Sequence, residues 1–147
     1  MKIVKTDLPF THIITLAALG VPRVILHDLK LVSFDSPIYK VLAVGPLLIW
    51  LLVAIFYKTK SPFHLFIVLG LMFGLLLGVT HQMTWVASWG DNMPHLHGNL
   101  EGKLDPTLES LLLRTAAFIS SIFTGLFAGV VLGAVSFMSQ KVRAKAK

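Results

Sequence analysis

Arg23, His27 and Asp28 close one apolar stretch of this 147-residue chain, and His81 and Arg114 interrupt two others. An ionisable group inside an apolar span is costly and is by default a functional candidate that faces the bundle interior. Spacing ties the last two together. Continuing one turn at a time from Gly74 and Gly78 leads to His81 and then Trp85, while stepping back from Gly125 through Ser121 and Phe118 leads to Arg114. In two antiparallel helices, His81 and Arg114 then lie at similar depth near a shared face, on the side where Arg23, His27 and Asp28 end the first stretch. Two arginines with histidines can hold an anionic headgroup, a carboxylate or a quinone-like carbonyl through directional hydrogen bonds. Arg23, His27, Asp28, His81 and Arg114 are therefore the candidate substrate-binding residues, roofed by the 87–105 loop. The alternative use of the same side chains is structural: the arginines snorkel outward and pair with Asp28 or Glu109, fixing the register of the fold. No catalytic residue is designated by the pattern.

A second group lies in that loop. His95 and His97 are two apart, so an extended segment puts both imidazoles on one side, within reach of one metal ion. Met93 as a third ligand suits copper, whereas Asp91, His81 or Glu101 suits zinc or another borderline ion. One H-x-H without a fixed third ligand is equally the composition of a solvated loop, and protonation of the same imidazoles would make that loop a pH-sensitive lid. A bis-histidine haem needs two histidines facing each other at one depth, which pairs His12 with His64 on one side and His27 with His81 on the other. The chain has no cysteine, which excludes disulfides, thiolate nucleophiles and Cys-ligated metals. It also lacks the glycine-rich phosphate loops, the G-x-S-x-G elbow and the H-E-x-x-H pair, so an ATP-driven pump or a membrane zinc protease would need another subunit's chemistry.

The elements that position these residues are membrane helices. Apolar residues make up 55% of the chain and charged ones 14%, with a mean hydropathy of +0.78. A soluble domain carries about 25% charged residues to wet its surface. The net charge of +6 sits in short clusters between long apolar runs, which excludes a disordered chain and a basic nucleic-acid-binding domain. About 20 apolar residues cross the hydrocarbon core. Four stretches qualify, at about 8–26, 38–57, 63–86 and 106–138. The expectation is an all-α integral membrane protein, a single domain over 1–147 forming a four-transmembrane-helix bundle. The first stretch reads as a retained helix, since it lacks a small-x-small cleavage site. The fourth exceeds the bilayer thickness and must tilt or stand partly in the headgroups. Ser61-Pro62 and Asp105-Pro106 each put a capping residue before a proline, a good helix start.

Lys and Arg set the expected orientation. With the N-terminus inside, Lys2, Lys5, Lys58, Lys60, Lys141, Arg143, Lys145 and Lys147 are cytoplasmic, while every acid except Asp7 is outside. Both termini are then cytoplasmic and the long loop between the third and fourth helices is extracytoplasmic, in a cell (inner) membrane. The basic tail suits anionic headgroups.

Gly70, Gly74 and Gly78 on the third helix, and Ser121, Gly125, Gly129 and Gly133 on the fourth, recur every four residues and so line one face of each. Missing side chains let two backbones approach and gain dispersion contacts. Packing the two rows together within the chain is one use; a homo-oligomer interface through one of them is the other. No inverted repeat relates 1–57 to 58–147. The functional expectation is a small membrane protein that acts by binding, as a transport component or an accessory subunit of a larger complex. The rival is a metal- or haem-dependent membrane enzyme using the extracytoplasmic histidines.

Overall fold

The computed structural model describes residues 8–57 and 59–145, with side chains described as far as Lys141. Lys2, Lys5, Asp7, Lys58 and Lys147, and the side chains of Arg143 and Lys145, lie outside the described residues, so much of the charge pattern that orients the chain lies outside them too. The described residues are helical, without strands: α1 (Phe10–Ala18), α2 (Val21–Asp28), α3 (Pro37–Phe56), α4 (Pro62–Trp89) and α5 (Pro106–Lys145), plus one 3-10 turn at Gly98–Leu100. Taking α1 and α2 as one span over Phe10–Asp28, four helices are long and apolar enough to cross a membrane.

The first span is broken where a continuous helix was expected. Pro22 has no N–H to give to a preceding carbonyl, and its ring crowds that carbonyl. The Leu19 and Gly20 amides turn instead to the Leu16 and Ala17 carbonyls, both at 3.2 Å, in 3-10 fashion. Two neighbours use the break. The Phe73 ring lies against Gly20 so closely that a Cβ there would collide with it. The Leu16 carbonyl, having lost its usual partner at Gly20, accepts the Trp50 indole N–H at 2.8 Å.

α4 is the most buried of the four spans and the element around which the others pack. Its closest partner is α5, and the glycine rows make the contact. A Cβ on Gly70 would collide with the Gly125 carbonyl oxygen, one on Gly74 would come within 2.8 Å of Ile122 Cα, and one on Gly78 within 2.8 Å of the Phe118 ring. Gly125, Gly129 and Gly133 meet Gly70, Phe66 and Phe63 in return, so the helices are antiparallel. Both rows are buried within one chain, so neither is left as an outward face for a second copy.

Helix starts follow the prolines, with one difference in capping. Ser36 Oγ accepts the Ile38 amide at 3.1 Å, and Asp105 Oδ1 accepts the Thr107 amide at 2.9 Å. Ser61 makes no side-chain cap; its carbonyl receives the Leu65 amide at 3.1 Å, and α4 starts on Pro62 without the hydroxyl. α5 runs past the expected end at 138. Its 40 residues span about 60 Å, about twice the thickness of a bilayer's hydrocarbon core of about 30 Å.

Candidate functional site: a polar pocket between the spans

α2 ends on Asp28, whose carboxylate sits beside the negative end of its own helix dipole and is 4% exposed. Such a group needs donors. His81 Nδ1 lies 2.8 Å from Asp28 Oδ2, and the Thr84 hydroxyl lies 2.5 Å from the same oxygen. His81 and Thr84 are three apart on α4, which brings both to one helix face. The Thr84 hydroxyl is also 2.9 Å from the Thr80 carbonyl, and its single proton serves one acceptor at a time. His27 Nδ1 approaches the other carboxylate oxygen at 3.7 Å.

Arg23 lies one turn before His27 on the same face, and both side chains meet Tyr39. Arg23 Nη1 donates to the Tyr39 hydroxyl at 2.7 Å, joining α2 to the first turn of α3. The rings of His27, Phe34 and Tyr39 pack together, with centroids 4.7 Å (His27 to Phe34) and 4.6 Å (Phe34 to Tyr39) apart. Between them runs the segment that leaves α2. Its Lys30 and Leu31 amides, each at 2.9 Å, close on the His27 and Leu26 carbonyls in a Schellman pattern, with Lys30 at φ 58° where glycine is favoured.

These side chains surround a pocket of about 780 Å³ among α2, α3, α4 and α5, which reaches Ser121 and Thr124 on α5. Arg23, His27, Asp28 and His81 all line it, so four of the five residues expected to share a site do so. Arg114 does not. Its guanidinium lies over the Trp85 ring, 5.4 Å from the centroid, and lines a second pocket of about 450 Å³ for which Trp85 is a shared wall. The expected roof is divided between the two. Ser88 and Trp89 of the 87–105 stretch line the first pocket beside the Lys30–Phe34 side, while Met93, Pro94 and His95 line the second.

The expected register pairs are not formed. Neither Arg23 nor Arg114 has a carboxylate oxygen within 4.0 Å among the described residues. Arg23 and Asp28 are five apart, as are Glu109 and Arg114; five residues turn a helix by about 500°, so each pair diverges by about 140°. Asp28 is taken by His81 and Thr84. Glu109 accepts the Leu96 amide at 2.5 Å and faces His95 at 3.7 Å.

Among the described residues, no three of the His, Cys, Asp and Glu side chains converge as a metal site would require. Asp91, His95, His97 and Glu101 are exposed, and Met93 lines the second pocket. His27 and His81 present Nδ1 to one carboxylate, while His12 is exposed and His64 half-buried. Sequence reasoning missed Thr84, Tyr39 and Lys30. Thr84 was visible as the residue three after His81, and Tyr39 as a residue near the start of the second span, level with the end of the first.

No family model, curated protein or solved structure matches the chain.

Proposed function

We propose that the chain is a small polytopic membrane protein that acts by binding, as a transport component or an accessory subunit of a larger membrane assembly. Its ligand presents an anionic group to Arg23 in the pocket among α2, α3, α4 and α5. One observation carries this reading: the pocket's carboxylate is already satisfied by His81 and Thr84, whereas the Arg23 guanidinium has a tyrosine hydroxyl and no carboxylate. A guanidinium in that state retains donors for a carboxylate or phosphate. Lys30 adds a second cation at the rim, held in a backbone conformation that lysine adopts only at a cost. Val24, Phe34, Leu77 and Trp85 supply apolar wall, the mixture typical of small-molecule pockets.

The pocket is placed at the extracytoplasmic end, in a cell (inner) membrane with both termini inside. The support for this is the clustering of Lys and Arg at the opposite end of the spans. Thermal unfolding of the detergent-purified chain tests the binding reading, using a panel of aryl and alkyl carboxylates and phosphates beside their neutral amides and alcohols. At least one anion should stabilise the wild type and leave Arg23→Gln unshifted. Equal shifts in both proteins, or equal shifts by the neutral analogues, contradict the reading.

A further inference from the structure

The second pocket has a charge pattern of its own. Arg114 is half-buried, its Nε is fully enclosed, and no N–H of its guanidinium donates to an acceptor among the described residues. Glu109, whose side chain is 16% exposed, lines the same pocket and uses one carboxylate oxygen for the Leu96 amide and His95; the other makes no hydrogen bond among the described residues. The two charges do not reach each other. Arg114 Nε is thus buried without a partner, and the terminal guanidinium N–H groups and the second Glu109 oxygen remain open to an outside partner in the pocket. A plain anion would satisfy Arg114 and be repelled by Glu109; a plain cation would do the reverse. A ligand carrying both charges satisfies both.

The surroundings select the source. Val86, Met93, Pro94 and Leu113 make the rest of the lining largely apolar, and Trp85 stacks beneath the guanidinium. About 20 residues of helical rise from Pro62 reach the region of Gln82 to Val86, so the pocket stands where hydrocarbon gives way to headgroups. We infer that the second pocket binds the headgroup of a phospholipid bearing a primary ammonium. Its phosphate accepts from Arg114, its ammonium donates to the free Glu109 oxygen, and its acyl chains lie outward against α5. This site is separate from the Arg23 pocket and stands whether or not that pocket binds an anion.

Native mass spectrometry of the full chain tests this, after incubation in detergent with an equimolar mixture of phosphatidylethanolamine, phosphatidylglycerol and phosphatidylcholine. One phosphatidylethanolamine per chain should predominate over both others by about tenfold or more, the value of one charge-assisted hydrogen bond. Arg114→Gln should remove that adduct. Glu109→Gln keeps an acceptor for the Leu96 amide and should turn the preference toward phosphatidylglycerol. Free phosphoethanolamine should fail to displace the lipid at equal concentration. Equal binding of the three lipids, an unchanged preference in Glu109→Gln, or displacement by free phosphoethanolamine each overturns the inference. Should both variants fail to fold, the wild-type preference decides alone.

Discussion

His81 Nδ1 and Asp28 Oδ2, 53 residues apart in sequence, lie 2.8 Å apart and join the centre of the bundle to the end of its first span. The contact fixes α2 against α4 and also consumes the one carboxylate of the larger pocket. The open charge there is consequently cationic.

Removing that carboxylate should loosen the same junction. Asp28→Ala leaves His81 and Thr84 without their shared acceptor and is expected to cost about 1–3 kcal/mol. A cycle with His81→Ala, read by unfolding in mixed detergent micelles, should show a coupling of about 0.5–2 kcal/mol. Additive losses would mean that the pair adds nothing beyond its separate packing.

The glycine rows give a contrast within one chain. Gly125→Ala drives a methyl group into the Gly70 carbonyl and the Gly74 backbone, neither of which can rotate away. It should destabilise by about 1–3 kcal/mol. Gly45, inside α3, has nothing within 4 Å of its would-be Cβ beyond its chain neighbours, but it precedes Pro46, whose ring crowds a preceding Cβ in a helix, so Gly45→Ala should change stability by less than about 1 kcal/mol. The melting temperature should therefore fall clearly further in Gly125→Ala than in Gly45→Ala.

Lys30 offers a test in which stability and binding separate. Lys30→Gly relieves a left-handed conformation worth about 1–2 kcal/mol, partly offset by glycine's freedom in the unfolded chain. The variant should be at least as stable as the wild type and should bind a pocket anion more weakly. A loss of stability would show that the lysine side chain anchors the loop.

The chain has no cysteine, so single substitutions report sidedness cleanly. Asn99→Cys, in the exposed loop before α5, should react with a membrane-impermeant maleimide added to intact cells, whereas Ser61→Cys, at the exposed start of α4, should react only after permeabilisation. The reverse pattern would invert the proposed orientation.

The four spans were readable because membrane helices are declared by length and hydropathy, and the α4–α5 contact was one of two uses of glycines four apart, the homo-oligomer interface being the other. The break at Gly20 was not readable, since Pro22 reads the same way in a kinked helix as in a broken one. The absence of the Glu109–Arg114 pair was readable, since the two stand five apart on one helix and diverge around it. The Lys30 conformation left no mark, because a Schellman turn normally shows itself by glycine. Which side of Trp85 the Arg114 guanidinium takes depends on packing that no spacing reports.

The most direct measurement is isothermal titration of the best stabilising anion into wild-type, Arg23→Gln and Arg114→Gln protein in one detergent. Loss of the Arg23 contact should weaken binding by about tenfold or more, while Arg114→Gln, beyond Trp85, should leave it within about twofold. Unaltered affinity in Arg23→Gln, or equal losses in both variants, would contradict an anion site built on Arg23 and separate from Arg114.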